Sequence, residues 1–163
     1  MARIPVAVVQ AHVTNSLEEG LHETRRLALD AAAGGASMVV FPETWLPGYP
    51  AWLDVCRDVA LWDHAPVKAA FAHYRSHSVD AHGASGAALA QIAADVGVTM
   101  VIGVSERVAS GPGFGTLYNS LLTYGPHGEL LNHHRKLVPT YTERMVWGQG
   151  DAGGLRAVDT PCG

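Results

Sequence analysis

Apolar residues in the first part of the chain form two short continuous runs separated by a stretch with helical spacing. The first run, residues 4–9, predicts a strand, and the second run, residues 37–41, predicts a buried strand. Between them, Ser16 stands three residues before Glu19, which is the spacing of a capping box, so a helix should start there. The glycine pair 34–35 should end that helix. A right-handed crossover would make the two strands parallel neighbours.

The middle of the chain predicts three further helices and one strand. Residues 52–62 have helical spacing, and Pro66 suits the first turn of a second helix. Ser85 is the predicted N-cap of a third helix, which Gly97 should stop. The apolar run 98–104 predicts another buried strand.

The last third of the chain predicts a hairpin and one more strand. Residues 111–115 are a glycine-rich loop, and residues 116–124 and 129–134 are the predicted arms of a hairpin. Residues 155–159 predict an additional strand that runs into the turn 160–163. Strands and helices in this order indicate an α/β layer fold in one domain, residues 1–163.

Composition limits the classes of protein that this chain can belong to. Of its 163 residues, 48% are hydrophobic and 16% are charged, which suits a domain with a real core rather than a disordered chain. The net charge of −4 argues against nucleic acid and anionic membranes as partners. No run is long enough for a membrane span, and the N-terminus lacks the pattern of a signal peptide. With two cysteines and no disulfide framework, we expect a cytoplasmic protein.

The first candidate for chemistry is Glu43, directly after the predicted strand 37–41. Sites in α/β folds gather at the ends of strands. Partial burial beside Trp45 and Tyr49 should raise the pKa of this carboxyl group toward the range of a general base. The alternative is a solvated glutamate that opens a loop.

A second candidate segment contains Lys136 and Glu143. Lys136 ends a run of basic and histidine residues, so it could equally be an exposed cation. Glu143 could pair with its neighbour Arg144 on a surface turn. The local sequence leaves both alternatives open.

Two longer motifs resemble the signatures of the nitrilase branch of the carbon–nitrogen hydrolases. Residues 35–50 contain Phe41-Pro42-Glu43 followed by Gly48-Tyr49-Pro50, and residues 134–151 contain His134-Arg135-Lys136, Glu143-Arg144, Trp147-Gly148 and Gly150-Asp151. The resemblance implies an α-β-β-α sandwich, of which this chain would be the N-terminal portion, roughly the first half.

The resemblance also implies a role for each matching residue. Glu43 matches the general base, Lys136 the cation that stabilises the tetrahedral intermediate, and Glu143 a second glutamate that positions the others. Tyr49 and Trp147 are predicted to line the substrate pocket. The family converts a small nitrile into a carboxylic acid and ammonia without metal or cofactor, and it forms homo-oligomers. A thiolate is the nucleophile that a weakly electrophilic nitrile carbon needs.

Neither cysteine fits the place of that nucleophile. Cys162 occupies the variable position of a Thr-Pro-x-Gly turn, and Cys56 is predicted to be a small apolar residue on a helix. In the family the nucleophile follows one more strand after this turn. We therefore expect it to lie past Gly163.

Other interpretations remain open at this point. The chain could be a non-catalytic fragment or an interaction module, or it could belong to an amidase or a cyanide-hydrolysing enzyme. His73 and His77 have the spacing of a metal pair on a helix, but no third ligand completes a zinc motif. The loop 111–115 lacks the Lys-Ser/Thr pair of a phosphate-binding loop.

Overall fold

The computed structural model describes residues 3–14 and 16–163. Its elements are the strands β1 (Val6–Val8), β2 (Met38–Val40), β3 (Thr99–Arg107), β4 (Leu117–Tyr124) and β5 (Leu130–Arg135), the helices α1 (Leu17–Ala33), α2 (Trp52–Val55), α3 (Ala65–Ser76) and α4 (Ala84–Val96), and a short 3₁₀ helix (Tyr141–Met145).

The five strands form one mixed sheet in the order β1-β2-β3-β4-β5. The first three strands are parallel, and β4 and β5 are antiparallel to their neighbours. The predicted parallel β-α-β unit and the hairpin are therefore confirmed. Ser16 caps α1 as predicted, because its hydroxyl oxygen accepts from the Glu19 amide at 3.2 Å.

Side chains of the sheet point alternately to two faces, which differ in what covers them. On the helix face, α1 and α4 pack against an apolar core that includes Val39, Met100, Ile102, Leu122 and Tyr124. The opposite face, called the site face below, carries Val6, Val8, Val40, Val101, Gly103, Leu121 and His134. Val8 is 78% exposed there.

Three local predictions of secondary structure were wrong. The predicted helix 52–62 is only the four-residue α2, with Cys56 as its C-cap in an extended conformation. Gly83, and not Ser85, is the N-cap of α4, because the Ser85 hydroxyl bonds to the backbone of Asp80 instead. Residues 155–159 form no strand, since their backbone pairs with no strand of the sheet.

A buried ionic cluster on the helix face joins β3 to the edge strand β5. Glu106 is 2% exposed and accepts hydrogen bonds from Ser120 (2.6 Å), His133 (2.7 Å) and Arg135 (2.5 and 3.0 Å). Burial alone would raise the pKa of Glu106, but the hydrogen bonds from His133, Arg135 and Ser120 outweigh it and lower the pKa from 4.5 to about 2. Glu106 is therefore ionised at neutral pH.

The low pKa of Glu106 predicts a contribution to acid sensitivity. Because the folded-state pKa lies below the ordinary value, the stabilisation is complete above about pH 5 and is lost as the pH falls toward 2. Urea unfolding of the wild type and of Glu106→Gln at several pH values should show their difference in unfolding free energy shrinking over this window. A difference that stays constant from pH 7 to pH 2 would contradict the assignment.

Candidate active site

Glu43 lies in a tight loop at the C-terminal end of β2. Trp45 donates its backbone N–H to the carbonyl of Pro42 at 3.2 Å, and Gly48 donates to Thr44 at 2.8 Å. Thr44 has a φ of 50°, a left-handed conformation that is uncommon for a residue with a branched side chain. Buried Trp45 anchors the loop by donating to the Thr24 hydroxyl at 2.8 Å. These contacts place the Glu43 side chain, which is 55% exposed, above the site face.

Lys136 follows β5 and brings the two predicted glutamates together. Its backbone N–H continues the sheet pairing by donating to the Asn119 carbonyl at 2.8 Å. Its ammonium donates to Glu43 Oε1 at 3.0 Å and to Glu143 Oε2 at 2.9 Å. The three residues predicted from the motifs are therefore one cluster, which excludes a fully solvated Lys136.

Glu143 is held by the 3₁₀ helix that follows Lys136. Thr140 and Glu143 form a reciprocal capping box, in which Glu143 Oε2 accepts from the Thr140 amide at 2.6 Å. The Glu143 side chain is 9% exposed, so its carboxylate is oriented by packing. The alternative of a surface pair with Arg144 is wrong, because Arg144 donates to the Pro139 carbonyl instead.

Asn119 is a member of the site that the sequence analysis missed. Its side-chain amide donates to Glu43 Oε1 at 2.6 Å. Asn119 is buried in the middle of β4, where a polar side chain needs a hydrogen-bond partner. An asparagine inside a largely apolar strand was the available signal, but the sequence does not say which group it meets.

The structure corrects the predicted direction of the Glu43 pKa. Partial burial does raise it, as expected, but the hydrogen bonds from Lys136 and Asn119 and the charge of Lys136 outweigh burial, so the pKa of Glu43 lies below its ordinary value. Burial would lower the pKa of Lys136, but its hydrogen bonds to Glu143 and Glu43 raise it overall. Glu43 and Lys136 are therefore both charged at neutral pH.

An open pocket of about 280 Å³ lies beside this cluster on the site face. Its lining includes Glu43, Gly103, Asn119, Leu121, His134 and Lys136. The pocket is large enough for a small organic molecule, and it presents a carboxylate, an ammonium and a carboxamide to it.

Tyr49 and Trp147 lie together and are not among the residues that line this pocket. Their rings are 6.0 Å apart in an edge arrangement, and Trp147 donates to the Ser105 hydroxyl at 3.1 Å. Trp147 is 2% exposed within a second apolar cluster with Leu53 and Tyr74, whereas Tyr49 is partly exposed. Their role in substrate binding stays a prediction.

Neither cysteine contacts the charged cluster. Cys162 Sγ lies 3.6 Å from the Ser37 carbonyl oxygen and 4.0 Å from Thr99 Oγ1, at the start of β2 and β3. The pocket lies at Gly103, four residues farther along β3, or about 13 Å at the rise of a strand. The predicted turn 160–163 is present, with reciprocal backbone bonds between Thr160 and Gly163.

The described residues offer neither a metal site nor a helix that could span a membrane. No group of three histidine, cysteine, aspartate or glutamate side chains in residues 3–14 and 16–163 could hold a metal ion. His77 is engaged elsewhere, since its Nδ1 accepts from the Leu17 amide at 3.3 Å. Among the helices of these same ranges, none combines the length and the apolar character needed to cross a membrane.

Fold and site together define an α/β protein with an ammonium clamped between two carboxylates beside a small pocket. The family model for carbon-nitrogen hydrolases matches residues 5–163. The chain therefore belongs to the carbon–nitrogen hydrolase family.

The names of two relatives are consistent with membership of this family. The chain is 39% identical to an aliphatic nitrilase of Sinorhizobium fredii over 100% of this chain and 51% of that protein. It is 33% identical to nitrilase 2 of Arabidopsis thaliana over 98% of this chain and 46% of that protein. The chain spans about half the length of these relatives.

Solved structures agree with the fold. An amidase from Nesterenkonia sp. AN1 superposes with a TM-score of 0.59 at 19% identity, over 91% of this chain and 50% of that one. A carbon-nitrogen hydrolase from Helicobacter pylori G27 has a TM-score of 0.59 at 18% identity, over 98% and 49%. The predicted α/β architecture of this family is confirmed.

Proposed function

We propose that this chain is the base- and cation-bearing portion of a nitrilase, which converts a small nitrile into its carboxylic acid and ammonia. The observation that carries the proposal is the Lys136 ammonium, 3.0 Å from Glu43 and 2.9 Å from Glu143, beside a pocket of molecular size. The nitrilase names of relatives at 33–39% identity favour a nitrile over other substrates.

The charges of the cluster suit each step of such a reaction. Ionised Glu43 takes the proton of a cysteine thiol, and the thiolate adds to the nitrile carbon. The negative charge that develops on nitrogen is stabilised by the Lys136 ammonium and is neutralised by the proton that Glu43 took from the thiol, which forms a thioimidate and returns Glu43 to its carboxylate form. Glu43 then activates water, ammonia leaves from the resulting tetrahedral adduct, and a second water releases the acid from the thioester.

The nucleophile of this proposal is a cysteine that follows Gly163 in the whole protein. Two observations support this placement: Cys162 lies at the start of β2 and β3, about 13 Å along β3 from Gly103 in the pocket, and Cys56 caps α2 outside the charged cluster. Replacing Cys56 or Cys162 with serine in the protein extended past residue 163 should leave its turnover of the nitrile unchanged. Loss of turnover in Cys162→Ser would identify Cys162 as the nucleophile instead.

Ammonia release from a nitrile and from the amide of the same carbon skeleton tests the reaction. The chain alone and the gene product extended past residue 163 should both be assayed. We expect the extended protein to release ammonia from the nitrile and the chain alone to release none. Faster turnover of the amide would overturn the nitrilase assignment in favour of an amidase, and turnover of cyanide alone would favour a cyanide-hydrolysing enzyme.

A non-catalytic interaction module is the second candidate, and the exposed site face favours it. Val6 is 50% and Leu121 41% exposed on that face, and apolar sheet surface of this kind associates with other surfaces. Size-exclusion chromatography with circular dichroism tests this candidate together with the homo-oligomer that the family resemblance implies. A compact, cooperatively unfolding monomer would contradict both self-association and the module.

A further inference from the structure

The strand that delivers Lys136 has little hydrophobic pattern of its own. β5 ends the sheet order, all six of its residues are half-buried, and its last four residues are Asn132-His133-His134-Arg135. A strand without a buried apolar row has a weakly specified register. The hairpin turn does not specify it alone, because a register irregularity at Thr123/Tyr124 separates the turn from the rest of the pairing.

The register of β5 determines where Lys136 lies, because the side chains of alternate residues point to opposite faces of the sheet. His134 pairs with Leu121 on the site face, and Lys136 follows on that same face beside Glu43. His133 and Arg135 point to the helix face. A slip of one residue would turn Lys136 away from both glutamates.

Glu106 contacts β5 at two alternate positions. His133 Nε2 donates to Glu106 Oε2 at 2.7 Å, and Arg135 donates through Nε at 3.0 Å and through Nη2 at 2.5 Å. Both partners lie on one face of β5, and the carboxylate that receives them belongs to β3, across the intervening β4. A bidentate guanidinium–carboxylate pair has a defined geometry, so it can select one register.

We propose that Glu106 is a positioning residue, whose contacts with His133 and Arg135 set the register of β5 and so place Lys136 between Glu43 and Glu143. Its importance for catalysis rests on the proposed function. The register itself does not, so it can be measured on this chain without any turnover assay.

Glu106→Gln tests the proposal, with Ser120→Ala as the matched control. Ser120→Ala removes a 2.6 Å hydrogen bond to the same carboxylate from an equally buried residue, but it leaves both contacts to β5. In Glu106→Gln we expect loss of the cross-strand nuclear Overhauser contacts between Leu121 and His134. Relative to the wild type, amide exchange in β5 should speed up at least about tenfold more than exchange in β3 does. Ser120→Ala should keep the wild-type pattern.

A purely stabilising role of Glu106 gives a different result. Exchange would then rise equally in β3 and β5, with the contacts between Leu121 and His134 retained, and the proposal would be overturned. If Glu106→Gln does not fold, Arg135→Lys tests the register role instead. Lysine keeps the positive charge but cannot form the bidentate pair with Glu106. Selective fraying of β5 in Arg135→Lys supports the register role, whereas unchanged β5 exchange rejects it.

Discussion

Replacing Lys136 with methionine is expected to lower kcat for carbon–nitrogen bond hydrolysis at least about 100-fold, the usual effect of removing a group that stabilises developing charge. The same change should raise the pKa of Glu43, because the hydrogen bond and charge that now lower it are lost while its partial burial remains. Ammonia release from the extended protein measures the first effect. A carboxylate NMR titration of the chain measures the second.

Lys68 offers a matched control for this experiment, since it is the other lysine in the sequence. It pairs with Asp63 at 2.6 Å on the surface, away from the pocket. Lys68→Met should therefore leave both the turnover and the pKa of Glu43 unchanged. An unaltered pKa of Glu43 in Lys136→Met would contradict the contact between them, and unaltered turnover would contradict the catalytic role.

Replacing Gly103 with alanine is expected to displace the Glu43 loop. A Cβ at Gly103 would lie 2.4 Å from the Pro42 carbonyl oxygen, 2.7 Å from the Glu43 Cα and 2.9 Å from the Thr44 nitrogen. All three are backbone atoms, so no side chain can swing aside. We expect a loss of about 1–3 kcal/mol in unfolding free energy, typical of overpacking, and a rise in the pKa of Glu43 as it leaves Lys136.

Gly34→Ala is the control for the added methyl group. Gly34 has a φ of −76°, which any residue adopts, and a Cβ there would approach the Ala31 carbonyl oxygen at 3.3 Å. Urea unfolding should place Gly34→Ala close to the wild type and Gly103→Ala well below it. If the two variants unfold alike and the pKa of Glu43 is unchanged, the close approach of β3 to the Glu43 loop does not constrain the site.

Local sequence predicts an element well where the signal and its partner lie within a few residues. Ser16 and Glu19 define the start of α1 within one turn, and Gly97 ends α4 in a left-handed conformation. The prediction failed at Ser85 because its hydroxyl finds the backbone of Asp80 rather than the first turn of the helix. It failed at residues 155–159 because a strand needs backbone pairing that no local pattern specifies, and this segment meets β5 through the side chains of Arg156 and Asn132 instead.

The sequence by itself determined the parallel β-α-β unit, the hairpin and, through its motifs, the choice of Glu43, Lys136 and Glu143 as candidate site residues. These follow from patterns that are local in the chain. Only the tertiary structure decided that the three meet around one ammonium, that Asn119 joins them, and that the pKa of Glu43 is lowered rather than raised. Lys136 is 93 residues from Glu43 in the chain, and Asn119 is 76. The charge state of a carboxylate depends on which groups surround it in space, and folding alone brings those distant groups together.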